Sequence, residues 1–209
     1  GEYSNGISIR YATSPSPERG FQEPDNNELT PSHCYAGRMI RWKGTFLFYH
    51  WIRDVVKGKP ETYLAPPKRI AKGNNRIYLL KYAPRDTYTK TVKPERLLQS
   101  IKRSNDKRAK STVFLGTQTT ITITAKPRGY NRRVFLARTN TGLSIRDFTM
   151  ENEVNDLRTV PLKFTTKSEV ELFVEGKFLE VDVDGYFTHA AILAKRPADI
   201  ESISVTTDN

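Results

Sequence analysis

Residues 169–194 read EVELFVEGKFLEVDVDGYFTHAAILA, and this stretch decides the predicted fold class. It divides into three segments in which apolar residues recur: 169–174, 177–183 and 186–194. Two dipeptides separate them, Glu175-Gly176 and Asp184-Gly185. An Asp-Gly or similar pair between such segments is a strong signal for a tight β-hairpin. The stretch therefore predicts a three-stranded antiparallel meander.

Further strand signals lie on both sides of this meander. Residues 119–124 alternate strictly and are mostly β-branched, which is typical of a half-buried strand. The other candidates are residues 38–51, 76–82, 112–115, 132–138, 160–165 and 203–207. Together with the meander they give roughly eight or nine strands, within the range of antiparallel sandwiches and jelly rolls.

Three other segments are predicted not to be strands. Pro94 can open a short helix, in which Leu97, Leu98 and Ile101 share one face. Residues 58–67 contain three prolines and are predicted to form a loop. Residues 147–156 are acidic and lack clear periodicity, so we predict a loop or a short helix there.

The predicted fold class is therefore all-β and mostly antiparallel: a β-sandwich or single jelly roll with one or two short helices. Residues 1–31 are rich in proline and polar residues and are predicted to form an extended N-terminal arm, either mobile or ordered across a neighbouring subunit. Residues 32–209 are predicted to form a single domain. A chain of 209 residues is long enough for one well-buried core.

Charge is distributed unevenly along the chain. Residues 31–146 carry 26 basic and 5 acidic side chains, whereas residues 1–30 carry 2 and 5 and residues 147–209 carry 6 and 13. The net charge of +11 thus comes entirely from the middle of the chain. Such a block either faces a polyanion or repels itself, and this pattern favours nucleic acid as a partner. The alternative is that the cations lie on different faces and only keep the protein in solution.

The candidate nucleic-acid-binding residues form three groups. They are Lys68, Arg69 and Lys72 on a proline-rich loop, Lys102, Arg103, Lys107, Arg108 and Lys110 after the helix, and Lys126, Arg128, Tyr130, Arg132 and Arg133 around a turn. None of these groups has the spacing of a zinc finger, an RRM or a basic zipper, so we expect contacts with phosphates that do not depend on base sequence. Tyr130 either stacks on a base or packs back on the sheet.

The sequence supports an enzymatic function less well than nucleic-acid binding. No cofactor, metal site or membrane partner is predicted. The three histidines are far apart, and no phosphate-binding loop or nucleophile elbow is present. His50 is predicted to be a structural residue of the core. A nuclease or glycosidase that uses Asp54, Asp86 or the Asp182/Asp184 pair is the remaining enzymatic hypothesis. The longest apolar run, residues 46–52, is far shorter than the about 20 residues of a membrane-spanning helix.

One stretch carries a resemblance to a known family. Residues 77–86 read IYLLKYAPRD and are followed by Pro94 and by Leu97-Leu98. This looks like the strand, Arg-Asp turn and helix of geminivirus and necrosis-satellite coat proteins, and the order of elements resembles the single jelly-roll coat proteins of small icosahedral viruses. The match covers about a tenth of the chain.

The resemblance implies a capsid subunit that assembles with copies of itself and neutralises packaged nucleic acid, RNA or DNA, through its basic block. The acidic last third would then face outward or pair with basic patches on neighbouring subunits. Such a protein would reside in the virion, and otherwise inside the cell. The alternative is a basic β-rich subunit of a larger ribonucleoprotein, such as a ribosome-associated or single-strand-binding protein.

Overall fold

A computed structural model shows a two-sheet, all-β architecture dominated by antiparallel pairs, which confirms the predicted class. It describes residues 8–25, 27–56, 59–73, 76–82, 89–103, 108–117, 119–127, 131–139, 142–148, 153–158 and 167–208. Within these residues it has fifteen strands, more than the sequence predicts.

The larger sheet has ten strands. They are β1 (Cys34–Trp42), β2 (Thr45–Val56), β3 (Lys59–Leu64), β4 (Lys68–Gly73), β5 (Arg76–Lys81), β6 (Lys90–Thr91), β7 (Arg108–Gly116), β12 (Lys167–Glu175), β13 (Phe178–Val183) and β14 (Tyr186–Ile192). Their spatial order is β1-β2-β4-β5-β14-β13-β12-β7-β6, and β3 pairs with β2. Only the short β6–β7 pair is parallel among the described ladders.

The smaller sheet has five strands: β8 (Thr120–Pro127), β9 (Arg132–Arg138), β10 (Leu143–Phe148), β11 (Glu153–Arg158) and β15 (Ile200–Asp208). Their order is β11-β10-β9-β8-β15, so the last strand returns beside the first in a Greek-key arrangement. The predicted final strand is thereby confirmed.

The meander of β12, β13 and β14 forms as predicted and lies at the centre of the molecule. Asp184 and Gly185 have φ values of 50° and 84°, as both central residues of a type I′ hairpin turn require. The segment from Asp182 to Gly185 therefore lies at the hairpin turn that joins β13 to β14. All six residues of β13 are buried, so this strand is covered on both faces.

Two apolar clusters cover those two faces. One lies between the meander and the smaller sheet and includes Leu172, Val181, Ile123 and Leu136. The other lies between the meander and the curled part of the larger sheet and includes Phe173, Phe178, Phe187, Phe48 and Ile52. The backbone N–H of Ile192 in β14 donates to Asp54 of β2, so the larger sheet curls far enough for these strands to meet.

The helix α1 (Leu97–Arg103) follows a 3₁₀ turn at Pro94–Arg96, close to the predicted position. It buries Leu97 and Ile101 against the first cluster. No helix among the described residues is long and apolar enough to cross a membrane.

Four segments differ from their predictions. Residues 38–51, predicted as one strand, form the hairpin of β1 and β2, with a turn at Lys43 and Gly44 where φ is positive. The segment of Lys68, Arg69 and Lys72, predicted as part of a loop, is the strand β4. The proposed loop at residues 58–67 contains β3, which pairs with β2 from Trp51↔Leu64 to Val56↔Lys59. The acidic segment 147–156 contributes to a hairpin of β10 and β11, with Asp147 opposite Val154. The predicted strand at 160–165 lies outside the described residues.

The arm is not extended within its described residues. Bridges between Arg10 and Glu28, Thr13 and Gln22, and Ser16 and Arg19 fold it back on itself. Leu29 is buried, and Ile9 and Tyr11 pack on the second cluster. The arm therefore lies against its own body, while the boundary at residue 31 stays a prediction.

Candidate nucleic-acid interface

Lys68 was expected to contact phosphate, but it is buried inside the protein. Its Nζ donates to Glu180 Oε2 at 2.7 Å and to the Pro66 carbonyl at 2.6 Å, and both charged side chains are fully buried. The same Nζ lies 4.7 Å from the centre of the Phe187 ring. This prediction is wrong for the folded chain because the cation already neutralises a buried carboxylate of the central meander.

Arg132 is likewise buried, at the junction of both sheets. Its Nε and Nη2 donate to the two oxygens of Asp147 at 2.9 and 2.6 Å, and its Nη1 donates to Asp54 and to the Ile192 carbonyl. The His189 Nε2 is 2.8 Å from Asp147 Oδ2. The prediction that Arg132 binds nucleic acid is therefore also wrong.

Burial and the neighbouring charges shift the pKa values of Asp147 and Arg132. Burial alone would raise the pKa of Asp147, but the charge of Arg132 and the hydrogen bond from His189 outweigh it and hold that pKa well below its usual range. Burial also opposes the charge on Arg132, yet Asp147 and Asp54 raise its pKa further. We infer that this group ties the two sheets together as a structural ion-pair network.

Two more cations of the predicted set are half-buried and neutralise acids of the meander. Arg108 Nε donates to Glu175 Oε1 at 2.5 Å, and Lys110 Nζ lies 3.3 Å from Glu171 Oε2. Lys81 binds the same Glu171 oxygen at 2.7 Å. Four acids of the last third, Asp147, Glu171, Glu175 and Glu180, are thus paired with cations of the basic block inside this chain. The outward orientation, or the pairing with neighbouring subunits, that the resemblance implies for this third stays a prediction.

The remaining predicted residues fall into three sets: exposed residues, one residue whose side chain is not described, and residues outside the described part of the chain. Arg69, Lys72, Lys102, Lys126 and Arg133 are exposed. Arg103 ends α1, and its side chain is not described. Lys107, Arg128 and Tyr130 lie outside the described residues. The exposed members lie on β4 of the larger sheet, on α1, and on β8 and β9 of the smaller sheet.

A basic hairpin that the prediction omitted lies at the tip of β1 and β2. Arg38, Arg41 and Lys43 are exposed there, and Lys43 Nζ is 5.8 Å from the Trp42 ring centre. Arg41 is directly opposite Phe46 across the hairpin. The alternation of cations with aromatic residues in residues 38–46 is the signal that identifies it.

A second omitted group surrounds an open cleft of about 650 Å³ beside the helix. Three exposed cations line it, Lys90, Lys93 and Arg96, together with the polar side chains of Thr91, Gln99 and Ser100. No carboxylate is among its described lining residues. A cleft of this composition suits a phosphate group.

The third omitted feature is the outward face of the smaller sheet. Arg133 and Phe135 of β9 pair directly with Phe148 and Arg146 of β10, so cations and rings alternate across two strands. The guanidinium carbon of Arg146 lies 5.4 Å from the centre of the Phe135 ring and 5.8 Å from that of Phe148. We call these four side chains, with Lys126, the cation–aromatic face.

Most of the acidic residues named in the enzymatic hypothesis are buried or hydrogen-bonded within the fold. Asp54 binds Arg132 and the Ile192 backbone, and Asp184 accepts a hydrogen bond from the Glu169 backbone of the neighbouring strand β12. Asp182 is buried within β13, and Asp86 lies outside the described residues. No group of three metal-binding side chains is present in the described part of the chain.

No protein-family model matches the chain, and no curated protein is significantly similar to it in sequence. The function is therefore inferred from the arrangement of these residues alone.

Proposed function

We propose that this chain is a nucleic-acid-binding coat subunit that neutralises phosphates without reading base sequence and assembles with copies of itself, as in a virion. The observation that carries the proposal is the separation of its cations into two populations. One population neutralises buried or half-buried acids, including Glu171, Glu175 and Glu180. The other remains exposed around the cleft and on the smaller sheet, where a polyanion can reach it.

Exposed apolar residues on the outer strands support the self-assembly part of this proposal. They are Met39, Ile40, Trp42, Phe46, Trp51 and Leu64, and β1 is a sheet edge. Exposed apolar groups on a monomer's surface commonly mark protein–protein contacts. The basic residues beside them complement the exposed acids of the arm, Glu18, Glu23 and Asp25, so a second copy of this chain is the partner we propose for this surface.

The binding part is tested by measuring affinity for a labelled 20-nucleotide strand at several salt concentrations. With five or six phosphate contacts, affinity should fall about 10²-fold between 50 and 200 mM salt because counterions are released. The triple variant Lys90→Gln, Lys93→Gln, Arg96→Gln should reduce the slope of log K against log salt by about 2. Arg196→Gln is the matched control, because Arg196 is exposed but paired with Asp199.

The outcome that rejects the proposal is absence of salt-dependent binding by the wild-type chain. The assembly part is tested by light scattering and electron microscopy of the chain mixed with nucleic acid. Closed symmetric particles support a coat subunit. A chain that binds but stays monomeric contradicts the coat function and favours the alternative, a basic subunit of a larger ribonucleoprotein.

A further inference from the structure

We propose that the cation–aromatic face of the smaller sheet is a stacking platform for unpaired bases, so that this chain prefers single-stranded nucleic acid to duplex. The inference rests on the proposed function and deepens it by naming the strandedness of the ligand and the residues that select it. The inference assigns base stacking to Phe135, Arg146 and Phe148, in addition to the phosphate contacts that the proposed function assigns to exposed cations.

The sheet geometry brings these side chains together. Residues directly opposite each other in an antiparallel pair lie about 5 Å apart and point to the same side. Arg133 is opposite Phe148, and Arg146 is opposite Phe135, so the four groups occupy alternating corners of one outward patch. On the next strand, Thr124 lies opposite Arg133 and Thr122 opposite Phe135.

The two rings remain accessible although they contact each other. Both are only partly buried, their centres are 5.4 Å apart, and their planes are 89° apart. An edge-to-face pair leaves ring surface available to a further flat group. Arg146, beside both rings, offers a planar guanidinium on which a base can also stack.

The surroundings suit a phosphate chain. Lys126, Arg133 and Arg146 are exposed, and the outward positions of β8, β9 and β10 hold threonine, serine or alanine beside them. None of the described side chains on the outward face of these three strands is acidic. On the flanking strands, acidic residues occupy two outward register positions, Glu153 opposite Phe148 and Asp208 opposite Thr120. Threonine and serine hydroxyls can donate to phosphate oxygens.

The choice of a single strand over a duplex follows from access to the bases. The faces of paired bases are covered by their neighbours in the helix, so aromatic side chains on an open sheet can stack only on unpaired bases. A duplex would contact this face through phosphates alone and would gain nothing from Phe135 or Phe148. The aromatic contribution therefore distinguishes the two ligands.

The experiment measures the affinities of the full chain for a fluorescein-labelled 12-nucleotide oligothymidine and for a 12-base-pair duplex at fixed salt. Phe135→Ala and Phe148→Ala should each weaken binding to the single strand about 5- to 100-fold and change duplex binding less than 2-fold. Phe135→Tyr and Phe148→Tyr keep a stacking ring and should retain affinity. Phe114→Ala is the matched control, because Phe114 is 57% exposed but lies on the larger sheet.

A second measurement uses the wild-type chain and does not depend on any variant folding. Cross-linking to a single strand that contains 4-thiothymidine, followed by peptide mapping, should place cross-links in residues 132–148. Cross-links confined to other regions, or alanine variants that are folded but bind the single strand unchanged, overturn the platform and leave the proposed function standing. A wild-type chain that binds neither ligand rejects both.

Discussion

Arg132 links the two sheets of this protein through ion pairs, in addition to the apolar cluster that packs between them. Arg132 extends from β9 and binds carboxylates of β10 and β2 and a carbonyl of β14. A buried charge is tolerated only when its partners offset the cost of removing it from water. The group therefore contributes to stability only while all of its members are present.

Removing the cation should be strongly destabilising. Arg132→Met leaves the Asp54 and Asp147 carboxylates buried without their partner, and we expect a loss of about 3–5 kcal/mol in the free energy of unfolding. Denaturation by urea, followed by far-ultraviolet circular dichroism, measures it. Arg133→Met, on the exposed neighbour, should change stability by less than about 0.5 kcal/mol. A loss below about 1 kcal/mol for Arg132→Met would mean that the network is not structural.

His50 gives the protein a predictable sensitivity to acid. It lies between the Phe48 and Phe187 rings, with centre distances of 5.7 and 5.2 Å. Burial, reinforced by the charge of Lys68, lowers the pKa of His50 to about 3. Between about pH 6.5 and 3 the unfolded chain therefore binds a proton at this residue that the folded chain does not.

Stability should consequently fall as the pH falls through this window, with His50 contributing about 1.4 kcal/mol per pH unit. His50→Phe should make the dependence of unfolding free energy on pH shallower by that amount between pH 4 and 6. Some slope will remain, because burial also lowers the pKa of His33. The measurement is a series of denaturation curves from pH 4 to 7, and an unchanged slope in the variant contradicts the assignment.

The elements of the fold differ in how far their own residues determine them. The meander is predictable because its turns require Asp-Gly and Gly at positions that adopt positive φ, and those residues are visible in the sequence. The β10 strand was missed for the opposite reason. Leu143 and Ile145 alternate correctly, but the third inward position is Asp147, whose partner Arg132 is far from any local pattern.

β3 was missed because Pro60 and Pro66 dominate the local signal. Pairing with β2 overrides that signal, and proline is tolerated in a strand that occupies an outer position of a sheet. Two of the three omitted basic surfaces have a similar origin. Arg146 and Phe148 belong to the missed strand, and the lining of the cleft depends on how β6 packs beside the helix.

The turn of the meander offers a test at the scale of the element. Gly185→Ala places a side chain at φ 84° and should lower the free energy of unfolding by about 1–2 kcal/mol, because L-residues are strained in that region. Gly73→Ala is the control, because its φ is ordinary and the nearest atom to an added Cβ is 3.8 Å away. Thermal unfolding of both variants makes the comparison. Equal losses would show that the conformation of this turn is not what makes Gly185 important.

At the scale of the whole molecule, the uneven charge along the sequence becomes a division between inside and outside. The acids of the meander neutralise Lys68, Lys81, Arg108 and Lys110 within the fold. The surface that remains is enriched in cations on β1, the cleft and the smaller sheet. The net positive charge of the basic block, residues 31–146, therefore predicts the sign of the surface charge. It does not predict which of the individual cations are exposed.

This division has a consequence for how the protein tolerates change. Lys68 and Arg132 are buried and coupled to buried carboxylates, so each can be replaced only together with its partners. The exposed cations have no such dependence, and substitutions among them should act additively and leave folding intact. Affinity for the proposed nucleic-acid ligand and foldability should therefore be separable traits, so that the proposed binding surface can be altered one residue at a time on an unchanged scaffold.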